Sequence, residues 1–141
     1  MIAVVSCLHF PDDERIYHRQ IKTLLKGGFK VRYYTRSSAT KNLSGKGLIH
    51  LNFSDNMSLS NYKKLVLKEI LNANKILLIH IHEPELFSLA INIKNSIGIK
   101  IVYDVHEDYP SMINTFSKWD KRIRCLKEKY WILREKAFLR H

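Results

Sequence analysis

Three short apolar runs, at residues 2–6, 76–82 and 100–105, constrain the fold of this chain more than anything else in it. Each is continuous rather than alternating, as a strand is when helices cover both faces of its sheet. Amphipathic segments of helical period lie between them. After the first run and a loop at residues 7–13, a helix is expected to about Lys26. Asp12 or Asp13 can cap it, its carboxylate accepting N–H groups of the first turn. Tyr17, Ile21, Leu24 and Leu25 form its apolar stripe, and Gly27-Gly28 supplies the stop.

Residues 29–35 read as a second strand, 36–46 as a polar loop and 47–53 as a third strand. Ser58 or Ser60 caps a helix to about Ala73, with Tyr62, Leu65, Val66 and Ile70 inward. Pro84 suits the first turn of the next helix, whose Leu86, Ala90, Ile93 and Ile97 recur at helical spacing before Gly98 ends it. A last helix is expected at residues 118–140. Alternating βα units imply an α/β, three-layer Rossmann-like domain. Its parallel, doubly wound sheet should have right-handed crossovers and the order 3-2-1-4-5.

With 141 residues, 45% of them apolar, the chain can bury the core of one domain and not of two. No apolar run approaches the ~18–20 residues that span a bilayer. The N-terminal run lacks a basic segment before it and a small-residue cleavage site after it, so it reads as a strand rather than a signal sequence. Cys7 and Cys125 give no disulfide framework, which fits free thiols in a reducing cytoplasm. The net charge is +11, and residues 118–141 hold nine Lys/Arg against three Asp/Glu. Acidic partners follow from that charge. No groove-reading motif or stacking platform accompanies it, so nucleic acid is not expected.

The segment IVYDVHEDYP, residues 101–110, runs from a strand straight into Asp104, His106, Glu107 and Asp108. Tyr109-Pro110 stops a smooth run into a helix. In a doubly wound sheet, ligands bind outside the carboxyl ends of the strands where the order reverses. That rule brings the loop at 7–13, the segment 82–85 and the segment 106–110 to one rim. The helix starts near Glu14 and Pro84 point at the same rim and would favour an anion. No G-x-G-x-x-G follows the first strand, so no dinucleotide site is expected. Asp104 is expected to bond a neighbouring loop. Arg15 is expected to pair with Glu83, Glu85 or Asp108, or to contact a substrate. Cys7 is expected to be inert. His80, His82, Glu83, Glu85 and His106 could suggest a metal site, since His80 and His82 share a strand face. Their spacing matches no zinc signature, and no metal is expected.

The segments DDERIYHRQIKTLLKGGFKV, HIHEPELFSLA and KIVYDVHEDYP, in this order, resemble the N-terminal half of family-4 (group 1) glycosyltransferases of the GT-B fold. The resemblance implies a retaining transfer of a sugar from a nucleotide-sugar donor, without a bound metal or other cofactor. In that fold two Rossmann-like domains face each other across a cleft. The N-terminal one mainly binds the acceptor, and the C-terminal one holds most donor contacts. His106 matches the catalytic position at the strand end, beside the donor sugar and the departing phosphate. Asp13, Arg15, His82, Glu83, Glu85 and Asp108 are the substrate-binding residues expected on the rim. Two departures stand out. The loop at 7–13 has no glycine pair, and the donor domain with its E-x7-E element is expected to lie outside these 141 residues.

The chain therefore reads as the acceptor-side half of such an enzyme, inactive alone and expected in bacterial polysaccharide or glycolipid synthesis. Its partners would be the nucleotide-sugar donor and a glycan or lipid-linked acceptor. The last helix carries Trp119, Ile123, Leu126, Tyr130, Leu133 and Ala137 as a stripe on a basic helix. The stripe is expected to pack on the sheet or the missing domain, or to dock on the anionic inner face of the cell membrane. A noncatalytic, membrane-tethering subunit and a metal-dependent hydrolase are the competing readings.

Overall fold

A computed structural model describes residues 1–39, 43–73, 75–105 and 120–140. The chain divides into two compact units, Met1–Asp104 and Val105–His141. The first is a five-stranded parallel sheet with helices on both faces. Its strands are β1 (Ile2–Val5), β2 (Val31–Arg36), β3 (Leu48–Phe53), β4 (Leu78–Ile81) and β5 (Lys100–Tyr103). They lie in the order β3-β2-β1-β4-β5, as the alternation of apolar runs and amphipathic segments predicts.

Helix α1 follows β1 and has two parts. Glu14–Ile21 is π-helical, with wide turns, and Lys22–Lys26 is α-helical. An ordinary α-helix is what the sequence predicts here, so the wide turns are a correction. Their hydrogen bonds run over five residues, as from His18 N to the Asp13 carbonyl at 3.3 Å. The buried pair Ile16 and Ile21, also five apart, packs on Ile2, Val4, Val31 and Tyr33. Ile16 lies outside the predicted stripe for this reason. Gly28, at φ +81, ends the helix. Phe29 N bonds the Leu24 carbonyl and Gly28 N the Leu25 carbonyl, the paired bonds of a Schellman stop. Phe29 is thereby part of the turn and half-exposed, and β2 starts two residues later than predicted.

Helices α2 (Leu59–Leu71) and α3 (Phe87–Ile97), the latter entered through a tight turn at Pro84–Leu86, cover the other face. Ser58 caps α2, its hydroxyl accepting from Asn61 N at 3.2 Å. Tyr62, Val66 and Ile70 are buried, whereas Leu65 faces solvent against expectation. One residue before Val66, it is rotated about 100° from the buried row. Tyr62 stacks edge-on against Phe53, and Phe87 against Tyr103. Ile97, expected inward, is exposed at the last turn before Gly98, which adopts the left-handed conformation at φ +68. β5 is less covered than predicted, with Val102 41% exposed.

The second unit contains α4 (Lys121–Phe138). Trp119, the first residue of the predicted stripe, lies outside the described residues. Ile123, Leu126, Tyr130, Leu133 and Ala137 are all exposed. Among the described residues, no helix is long and apolar enough to cross a membrane.

Candidate functional site

Two groups of polar side chains form at the carboxyl ends of β1, β4 and β5. The first centres on Glu83, just past β4. Strand alternation turns Glu83 away from the face that carries His80 and His82. Its Oε1 accepts from Ser6 Oγ at 2.5 Å, Cys7 N at 3.0 Å and Leu8 N at 3.1 Å. Oε2 has no hydrogen-bond partner among the described residues. The side chain is 1% exposed, and this burial raises its pKa above the ordinary value although the three hydrogen bonds and His9 pull it down. Burial, with Glu83 and Glu85 nearby, also pushes the Cys7 thiol far up, which removes the thiolate a reactive cysteine needs.

Asp13 stands across the same loop. Its Oδ1 accepts from Arg15 N and Ile16 N, both at 2.9 Å, and so caps α1 as predicted. His9 lies between the two carboxylates, with Nδ1 3.5 Å from Asp13 and Nε2 3.9 Å from Glu83. His9 is not among the residues predicted for the site. The only sequence signal for it is its place four residues before Asp13 in a loop already expected at the rim. Leu8 and Phe10 on either side are exposed, Phe10 by 68%.

The second group centres on Asp104, at the end of β5. Arg15 Nη2 donates to its Oδ1, and Gln20 Nε2 donates to Oδ2 at 2.6 Å. His82 Nδ1 is 3.5 Å from the same Oδ2. The wide turns of α1 explain the convergence, because residues five apart lie nearer one face than in an α-helix. Arg15 thus pairs with Asp104 rather than with Glu83 or Glu85. Asp104 in turn bonds a helix and a neighbouring strand end rather than a loop. His82 is buried, and its ring lies 4.4 Å from that of His80. A groove of about 540 Å³ opens beside this group between α1 and β5, lined by Gln20, Leu24, His80, Val102 and Asp104 among others.

Of the predicted site residues, Asp13 and Glu83 thus meet through His9, and Arg15 and His82 meet through Asp104. No hydrogen bond joins Glu85 to either group among the described residues; its carbonyl accepts from Lys63 Nζ of α2 at 3.3 Å. His106, Glu107 and Asp108 lie outside the described residues. The potential metal ligands are also regrouped. Glu83 leaves the set and Asp104 enters it, so that His80, His82 and Asp104 each offer a ligand atom within 4.8 Å of the others.

The first group bears on what the β1 side of this rim can bind. The N–H groups of Cys7 and Leu8 after β1, and those of Arg15 and Ile16 at the start of α1, are where a phosphate would sit in many doubly wound sheets. Here carboxyl oxygens of Glu83 and Asp13 already accept those N–H groups. An incoming anion would find the amides taken. Neutral hydroxyls, by contrast, can bond carboxylate and imidazole edges while an apolar ring face rests on exposed Leu8 or Phe10. Compared with family models and with curated proteins, the chain matches none.

Proposed function

We propose that this chain is the acceptor-side, Rossmann-like domain of a retaining, nucleotide-sugar-dependent glycosyltransferase. The observation that carries the reading is the occupation of the β1-loop and α1 amides by Glu83 and Asp13. A rim closed to phosphate and open to hydroxyls suits an acceptor sugar and leaves the donor diphosphate to a second domain. In this reading His9 and Asp13 line the acceptor side with Leu8 and Phe10, and the buried Glu83 holds the loop beneath them. Arg15, His82 and Asp104 hold α1 against the strand ends, whereas Glu85 bonds Lys63 of α2 through its carbonyl. The resemblance in sequence assigns His106 to the donor sugar and leaving phosphate; Asp108 is kept only as an expected substrate-binding residue.

Saturation-transfer NMR on the chain tests this directly. Oligosaccharides are expected to bind, and Phe10→Ala to weaken them by roughly tenfold. Nucleotide diphosphate sugars are expected to bind far more weakly. Tight nucleotide-sugar binding without saccharide binding would sink the reading. In an enzyme joined to a donor domain, His106→Ala is expected to cut turnover by about 100-fold without lowering Tm. Near-normal turnover removes His106 from the chemistry.

A second reading has its own observation. α4 exposes an apolar stripe on a helix with seven Lys/Arg and two Glu. That surface fits a noncatalytic role at an anionic membrane, and it is compatible with a cytoplasmic protein bound to the inner leaflet.

A further inference from the structure

His80 and His82 are two residues apart at the end of β4, so both rings leave the same face of the sheet. The ladder to β5 sets His80 beside Val102. It continues past the strand, with Asp104 N bonded to the Ile81 carbonyl at 3.0 Å. Asp104, two residues after Val102, therefore leaves β5 on that same face, next to His82. One ligand atom from each of the three lies within 4.8 Å of the other two.

We propose that His80, His82 and Asp104 form a binding site for a divalent first-row ion of the zinc class. Two imidazole nitrogens and one carboxylate oxygen match Zn²⁺, Co²⁺ or Ni²⁺ and argue against Mg²⁺ and Ca²⁺, which take oxygen ligands. Zinc bonds of about 2.0–2.2 Å put tetrahedral ligand atoms roughly 3.3 Å apart. Closing the spread from 4.8 Å calls for rotation of the two imidazoles toward Asp104, from neighbouring strand ends that already put the three side chains on one face. Arg15 and Gln20 donate to the Asp104 carboxylate from outside, and such hydrogen bonds orient a metal-ligating carboxylate. His80 and Asp104 also line the groove beside α1. The fourth position of the ion opens there, to water or to a hydroxyl or carboxylate of a bound molecule. The site is separate from the Glu83 group and carries no step of sugar transfer, so it stands or falls independently of the transferase reading.

Zinc titration of the ¹⁵N-labelled chain, followed in long-range ¹H–¹⁵N spectra, tests the site without altering the fold. One ion per chain is expected to shift the His80 and His82 ring resonances together and leave the other imidazoles in place. Co²⁺ is expected to give the visible absorption of a four- or five-coordinate ion. Asp104→Asn and His80→Ala, each confirmed folded by circular dichroism, are expected to weaken binding by roughly tenfold or more. Absence of binding at micromolar zinc overturns the proposal. So does binding that leaves either ring unshifted or that survives both substitutions.

Discussion

Glu83 is a carboxylate surrounded by donors yet held in a dry place. Its Oε1 gathers a hydroxyl and two backbone N–H groups, and those contacts shape the loop after β1. Removing the acceptor leaves two buried donors and one part-buried donor unsatisfied, so Glu83→Ala is expected to cost about 3 kcal/mol. Glu83→Gln keeps an amide oxygen for the same donors and isolates the charge. Burial outweighs the hydrogen bonds and raises the folded pKa above the ordinary value of 4.5. The folded chain therefore keeps this proton to higher pH than the unfolded chain does. Folded stability falls, through this group, as pH rises from 4.5 through the raised value. Urea unfolding between about pH 4 and about pH 8 is expected to show Glu83→Gln gaining on the native chain as pH rises. A pH-independent difference, or one of opposite slope, would mean that the carboxylate is better solvated than its burial indicates.

Helix α1 shows which elements can be read locally. The sheet order follows from continuous apolar strands, helical crossovers and chain direction, all of which are local patterns combined with general topology. The Asp13 and Ser58 caps and the Gly28 and Gly98 stops are likewise written in a few neighbouring residues. The wide turns of Glu14–Ile21 are not. They bring Ile16 and Ile21 into one core, and Arg15 and Gln20 onto Asp104, which follows Arg15 by 89 residues. A stripe counted at 3.6 residues per turn selects Tyr17 instead and omits Ile16. The candidate site was hidden by the same long-range pairing. Its strand ends are legible, but the partner choice of Arg15 and the exchange of Glu83 for Asp104 beside the histidines depend on β5 meeting α1. Equilibrium denaturation separates the two registers. Ile16→Ala, fully buried, is expected to cost about 2–5 kcal/mol. Tyr17→Ala, at a half-buried ring with Lys22 Nζ 5.3 Å above it, is expected to cost less. The reverse ranking would restore the α-helical register.

Charge and exposed apolar surface are unevenly spread over the molecule. The net charge is +11, and α4 carries seven Lys/Arg against two Glu. The same helix leaves Leu126 69% and Leu133 67% exposed, with Ile123 and Tyr130 on the same row. A basic helix with an exposed apolar row is one surface that can dock at a membrane interface. Two forces of similar size would hold it there. Sinking a leucine into the acyl boundary contributes about 1.5–3 kcal/mol, and each Lys or Arg near an anionic leaflet about 1 kcal/mol. They can be separated because only the second responds to salt. Vesicles containing phosphatidylserine are expected to bind the chain at low ionic strength and to release it progressively as salt rises. Leu126→Ser with Leu133→Ser changes no charge and touches two exposed positions, so Tm should hold while vesicle affinity drops by roughly 100-fold. Unchanged affinity in that double variant would leave charge as the sole attraction. The stripe would then need a protein surface rather than a bilayer to cover it.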